Sequence, residues 1–258
     1  MAQLGTLFGE EAEDGWWAEE SQTVTVNGAG VPDPIAIREL QFHVVNAHKV
    51  WPFNERFMGW INRNQQYFQG KHILELGSGT GVLAIYMKKM GWDVTSSDYD
   101  DAEIEANIVF NATANHTSFP HIRYTWGTPL PESLSGGKFD LIVANDILLY
   151  VAQYDALMDS LKRLLWAATV PGQPRPMALF CWHRKAKGVR PFFEIAAERG
   201  FEVDHIDAHD KVWLIRAPPQ PTPTAVALPV PTPEKDSTTP SPNPIAAAPA
   251  PTSTNPSS

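Results

Sequence analysis

The chain has 258 residues, enough for one globular domain and an extension, since single domains run to about 100–250 residues. Its 20 Lys and Arg against 29 Asp and Glu give a net charge of −9, which disfavours long-range attraction to nucleic acid or to anionic membrane surfaces. One cysteine, Cys181, excludes an internal disulfide and a cysteine-based zinc cluster.

Residues 1–37 read as an acidic leader, with Glu10, Glu11, Glu13, Asp14, Glu19, Glu20 and Asp33 but no Lys or Arg, and with a candidate short strand at Thr23–Val26. Such a leader is expected to be solvated, although its charge could steer a basic peptide. A folded body then runs over residues 38–216. A helix ending near Trp60–Asn62 opens it, and from there β-branched runs alternate with helical patterns, the rhythm of parallel strands joined by crossover helices. The expected strands are His72–Leu76, Asp93–Ser97, Ile122–Tyr124, Phe139–Ala144, Met177–Trp182, Phe201–Ile206 and Lys211–Ile215. Helices are expected over Thr80–Met90, Asp101–Thr113, Tyr154–Ala167 and Val189–Arg199. The fold class is therefore α/β: a Rossmann-like, doubly wound sheet of seven strands. Only Asp207–Asp210 separate the last two strands, too few for a crossover helix, so these pair antiparallel.

From Ala217 to Ser258 the composition changes: 13 of the 23 prolines fall there, and the only charges are Glu234, Lys235 and Asp236. This segment lacks the apolar residues for a core and is expected to be a disordered, polyproline-like tail whose removal leaves cofactor affinity intact. No run approaches the roughly 18 apolar residues of a membrane span, and the N-terminus lacks the layout of a secretion signal. A monomeric cytoplasmic protein is expected, with the nucleus left open, and with no membrane or nucleic-acid partner.

The chemistry concentrates in Ile73-Leu74-Glu75-Leu76-Gly77-Ser78-Gly79-Thr80-Gly81, an apolar strand entering a glycine-rich turn and then a helix. Glycines let the backbone approach a ligand at the carboxyl edge of the sheet. Asp98 closes the second strand about 20 residues on, where an acid accepts hydrogen bonds from a ribose. Val82 stands where a dinucleotide fingerprint requires Gly or Ala. Glu75 adds an acid near the turn, at what would be the cofactor's positive end.

On these residues the chain resembles the class I S-adenosylmethionine-dependent methyltransferases. Within them it is similar to the family 16 protein methyltransferases, which mostly modify lysine. The resemblance runs from about Trp51 to Arg216. It implies S-adenosylmethionine as cofactor, held by Trp51, Glu75, Gly77, Ser78, Gly79, Gly81, Asp98, Trp126 and Asn145, with no metal. It also implies a protein substrate, with Asp146 as the acid that frames the acceptor amine. The family's aromatic three residues beyond that acid is Leu149 here, and Tyr150 follows one place later, so Tyr150 becomes the candidate aromatic wall. Trp51 and Trp126 could also be packing residues, but Trp126 follows a strand at the carboxyl edge and is paired with Gly127, which favours an adenine contact; Asp146 reads equally as a cap for the helix beginning near Val151.

Four functions follow in order: a protein-lysine methyltransferase, a small-molecule N- or O-methyltransferase, a nicotinamide-dependent oxidoreductase, and a non-catalytic cofactor-binding module. His205 and His209, four apart at a strand end and hairpin turn, lack the Glu of a zinc-protease arrangement.

Overall fold

A computed structural model describes residues 21–136, 139–184 and 191–220. Most of the acidic leader, the tail beyond Gln220 and the residues Val189 and Arg190 lie outside the described residues.

Two strands, β1 (Ser21–Val26) and β2 (Ile35–Leu40), form an antiparallel hairpin ahead of the main sheet. Helix α1 (Asn54–Arg63) follows, then β3 (His72–Leu76), α2 (Val82–Lys89), β4 (Asp93–Asp98), α3 (Ala102–Ala114) and β5 (His121–Arg123). The second half contains α4 (Glu132–Ser135), β6 (Leu141–Asn145), α5 (Tyr154–Ala167), β7 (Met177–Cys181), α6 (Phe192–Glu198), β8 (Glu202–Asp207) and β9 (Val212–Arg216). The seven-stranded sheet has the order β5-β4-β3-β6-β7-β9-β8. All its pairings are parallel except those of β9, which runs antiparallel to both neighbours.

Both faces of this sheet are covered, so its central strands are apolar throughout, and alternation sorts the residues between two cores. Ile73, Leu141, Val143, Leu179 and Leu214 pack toward α1, α2 and the hairpin. Leu74, Leu76, Ile142, Ala144, Phe180 and Ile215 pack toward α5 and α6. On α5, Leu157, Leu161, Leu164 and Leu165 fill the second core at the three-to-four spacing of their sequence. Fully burying each such side chain contributes about 1.5–3 kcal/mol.

Strand β2 was not anticipated; residues 35–37 fell within the expected leader. Its exposed edge is paired by a helix instead of a strand. Asn107 and Asn111 on α3 and Asn115 at its C-terminal cap recur every four residues. Asn111 accepts from the Arg38 N–H at 2.8 Å and donates to the Arg38 carbonyl at 3.2 Å; Asn115 does the same for Ala36, at 3.0 and 2.7 Å. The Arg38 guanidinium donates to Asn107 at 2.8 Å. These amides satisfy backbone groups that would otherwise be buried and unpaired. They also fix where the chain leaves β2. The next loop is pinned at its base by Leu40 N–H to the His48 carbonyl at 2.9 Å and by Val50 N–H to the buried Glu39 carboxylate at 2.6 Å.

Among the described residues, no helix is long and apolar enough to cross a membrane. Ala217–Gln220 follow β9, where the Trp166 indole donates to the Pro218 carbonyl at 2.7 Å.

Candidate active site

The strand order reverses between β3 and β6, and the helices that follow them, α2 and α5, pack in the two different cores, which leaves a crevice at the carboxyl ends, the usual ligand position in an open α/β sheet. A cavity of about 500 Å³ occupies it, within the range for a nucleoside-sized ligand. Of the residues singled out in the sequence, Trp51, Gly77, Gly79, Asp98, Trp126, Asn145, Asp146 and Tyr150 line this cavity. Glu75, Ser78 and Gly81 do not.

The glycine turn has its shape for identifiable reasons. Gly77 lies in the left-handed region at φ +70°, and a Cβ there would meet Ile147 Cγ2 at 2.5 Å. Gly81, at φ +79°, precedes α2, and a Cβ there would press Ile108 at 3.2 Å. Gly81 therefore serves the seating of α2 on α3. The Ser78 hydroxyl turns away from the cavity, donating to the Ser97 carbonyl at 3.2 Å and accepting from the Ser97 N–H at 3.2 Å. It ties the turn to β4 and is buried. Glu75 is buried beneath the turn with Oε2 unpartnered, and desolvation lifts its carboxyl from 4.5 to about 8, leaving it protonated at neutral pH.

Asp98 ends β4 with both oxygens engaged. Oδ2 accepts from the Gly79 N–H at 2.6 Å and Oδ1 from the Tyr99 N–H at 2.7 Å. Burial raises its pKa, opposed by those two hydrogen bonds. A carboxylate oxygen accepts more than one hydrogen bond, so capacity remains for ligand hydroxyls. Trp126 follows β5 and packs partly against the second core. Gly127 after it, at φ +83°, lies where a Cβ would meet the Ala156 methyl at 3.0 Å.

At the end of β6 the backbone of Asp146 turns left-handed, at φ +54°. Its carboxylate is buried, and neither oxygen has a hydrogen-bond partner of good geometry. Desolvation raises its pKa to about 6, opposed by the Arg184 charge and by the nearby His183 N–H. The capping role weighed from sequence is not what this residue performs: a 3-10 turn does begin at Val151, but its capping position is Tyr150, and that of α5, which follows from Tyr154, is Gln153. Asn145 is buried beside it, donating from Nδ2 to Asn54 Oδ1 at 2.9 Å. Trp51 has two cations against its ring, Lys49 Nζ at 4.9 Å and the Arg184 guanidinium at 4.4 Å from the centroid.

Sequence reasoning missed the loop after β2. Val44, Val45, Asn46 and Ala47 form one wall of the cavity, and Asn46 donates from Nδ2 to the hydroxyl of Tyr150 on the opposite loop. Tyr99 was missed as well, although its place after Asp98 could have flagged it. Leu149 and Tyr150 both line the cavity. His205 stacks on Trp213 with centroids 3.8 Å apart, so this histidine is a packing residue of the β8–β9 hairpin.

A glycine turn, a carboxylate ending the second strand and aromatic side chains around a switch-point cavity define a class I S-adenosylmethionine-dependent methyltransferase. The residues fit that cofactor: the Gly77 backbone lies where no Cβ has room, Asp98 suits a ribose, and Trp126 and Tyr99 suit an adenine. Comparison with known proteins narrows the class. Residues 32–199 match the lysine methyltransferase family, and this chain belongs to it. It is 26% identical over 200 residues to the Schizosaccharomyces pombe protein N-terminal and lysine N-methyltransferase efm7, covering 72% of this chain and 75% of that one. It is 28% identical over 152 residues to the Danio rerio protein N-lysine methyltransferase METTL21A, covering 58% and 66%. Among solved structures, a T. thermophilus 16S rRNA methyltransferase in complex with AdoMet and guanosine superimposes with a TM-score of 0.55 at 18% identity. That match covers 77% of this chain and about half, 51%, of the other, and it shows the shared fold. The enzyme is a methyltransferase that uses S-adenosylmethionine.

Proposed function

We propose that this enzyme methylates an amine on a protein substrate, a lysine side chain, with Asp146 orienting the acceptor. The observation that carries this reading is the buried Asp146 carboxylate with unpartnered oxygens, set in the same cavity as the glycine turn and Asp98. A buried acceptor lacking donors is costly unless a ligand supplies them, and an amine does so.

When bound, S-adenosylmethionine supplies an electrophilic methyl on a sulfonium. Asp98 would hold the ribose hydroxyls, Trp126 and Tyr99 would pack the adenine, and the Gly77–Gly79 backbone would take the amino-acid end; all line the cavity except Ser78. A lysine amine has an ordinary pKa of about 10.4, so the site must favour its neutral form. Burial in the apolar part of the cavity does this, because desolvation disfavours the ammonium. Asp146, with a pKa of about 6, is too weak a base to take that proton outright and acts by hydrogen bonding. Tyr150 offers an aromatic face to the cation that develops on nitrogen. The relatives' names, which specify protein N-termini and lysines, support a protein acceptor. The chain's own acidic balance also favours a protein over a nucleic acid.

The test is incubation of the purified chain with methyl-tritiated S-adenosylmethionine and a cell extract, followed by hydrolysis of the labelled protein. Methyl-lysine is the expected product. Label recovered only in small molecules would overturn the reading.

A further inference from the structure

Lys49 and Arg184 come from distant parts of the chain and meet on one ring. Lys49 lies in the loop after β2 and Arg184 in the segment after β7. Their charged groups stand 4.9 Å and 4.4 Å from the centroid of Trp51, which lines the same cavity as Asp146. Neither cation has an acid of its own. Arg56, Arg63, Arg123, Arg175, Arg199 and Arg216 each make an ion pair with a carboxylate. Among the described residues, Lys49 and Arg184 make none, and their contacts are those with Trp51. The acids nearby are otherwise placed. Glu39 is buried and accepts from Gln22 and from the Val50 N–H. Asp146 feels the Arg184 charge, yet neither of its oxygens has a hydrogen-bond partner. In a chain of net charge −9, two cations without acids beside one cavity are a local exception to the balance.

Stacking occupies only the flat of such a group. A guanidinium over an indole keeps its N–H donors at its edge, in the fork that matches a carboxylate, and an ammonium keeps its own donors free to turn.

We propose that Lys49 and Arg184, gathered by Trp51, form a carboxylate subsite beside the acceptor position, so that the enzyme selects lysines flanked by acidic residues of the substrate protein. The inference rests on the amine-acceptor reading above. Trp51 and Asp146 line one cavity, and an extended peptide advances about 3.3–3.6 Å per residue, so the acid falls within about three positions of the lysine. The same carboxylate chemistry has a second source, the amino-acid end of the cofactor. The substrate is favoured because Lys49 is exposed and Arg184 half-buried, so both are open to an arriving protein, whereas the cofactor's amino-acid end is assigned to the Gly77–Gly79 backbone.

The experiment uses the full chain, S-adenosylmethionine with a trideuterated methyl, and a cell extract, with mass spectrometry locating each labelled lysine. Asp or Glu is expected within about three positions of labelled lysines more often than around unlabelled lysines of the same proteins. Labelled lysines without such neighbours overturn the proposal while leaving amine methylation standing, and this arm needs no variant that might misfold. The most heavily labelled protein, purified, then serves as substrate beside a version with its flanking acids changed to Gln. Removing the acids is expected to raise KM about tenfold with kcat within about twofold, the signature of lost binding that the chemical step does not use. Arg184→Gln and Lys49→Gln should raise KM for the acidic substrate and leave that of the Gln version unchanged, and Arg184→Glu should prefer a substrate whose flanking acid is replaced by Lys. A merely structural role for Arg184 would raise KM for both substrates alike and overturns the proposal. So does a loss of S-adenosylhomocysteine affinity in Arg184→Gln with methylthioadenosine, which lacks the amino-acid end, bound as before, because the cations would then hold the cofactor. Absence of label on any protein amine removes the amine reading and this proposal together.

Discussion

The Gly79 N–H donates to Asp98 Oδ2 at 2.6 Å, so the glycine turn after β3 and the acid ending β4 form one unit. The acid is oriented by the turn, which is also held to β4 by the Gly77 and Ser78 N–H groups donating to the Ser97 carbonyl at 2.8 and 3.1 Å. Asp98→Ala removes both the proposed ribose acceptor and the partner of the part-buried Gly79 N–H. Hydrogen bonds to charged groups contribute about 1.5–3 kcal/mol each, so cofactor Kd should rise by at least about tenfold, as read by quenching of tryptophan fluorescence. An unchanged Kd would remove Asp98 from the site.

Gly77→Ala should harm binding more than its size suggests. The left-handed backbone and a Cβ at 2.5 Å from Ile147 Cγ2 force that side chain to move within the cavity wall. A stability loss of about 1–3 kcal/mol is expected, together with weaker cofactor binding. Gly91→Ala is the control: its φ is also positive, at +84°, but nothing lies within 4 Å. It should lose stability in urea without losing affinity.

The sheet and its last antiparallel pairing were legible because apolar runs, glycine breaks and connection lengths are local signals. The turn from Gly77 to Gly81 and Asp98 were legible for the same reason. Strand β2 was not: it pairs with β1, and its other edge is satisfied by amides of Asn111 and Asn115, far along the chain. The Asn46–Tyr150 contact joins two loops that sequence places far apart. Nor could sequence show that Ser78 faces Ser97, or that Asp146 is buried without a donor, because side-chain direction depends on packing between elements.

Buried acids whose pKa is raised, Glu75 and Asp146 among them, contribute to the pH dependence of stability. In the fold, the pKa of Glu75 rises from 4.5 to about 8, and that of Asp146 from 3.8 to about 6, each chiefly by desolvation. A raised folded pKa adds stability that is fully present below the unfolded value and is lost as pH climbs through the folded one. The Asp146 contribution therefore disappears between pH 3.8 and about 6, and that of Glu75 between 4.5 and about 8. Urea midpoints measured against pH should fall across these windows. Glu75→Gln should flatten the upper one, and the absence of any change there would show that Glu75 is ionised in the fold.

Asn111→Leu should act at a distance. It strips partners from the Arg38 N–H and C=O and from the Thr80 carbonyl, at a cost of about 2–4 kcal/mol. Because β2 sets the start of the loop bearing Asn46, cofactor affinity should also fall. A destabilised variant with native affinity would separate the hairpin from the site.

Truncation after Gln220 should leave affinity and stability unchanged. Truncation after Arg216 should lower stability, because it removes the carbonyl that receives the Trp166 indole at 2.7 Å. Equal melting temperatures for the two truncated chains would contradict this.

The central claim is that the switch-point cavity holds S-adenosylmethionine, and titration calorimetry on the purified chain tests it most directly. Saturable heat with S-adenosylmethionine and with S-adenosylhomocysteine, lost in Asp98→Ala, is the expected result. No heat with either compound, together with saturation by a reduced nicotinamide nucleotide, would contradict it.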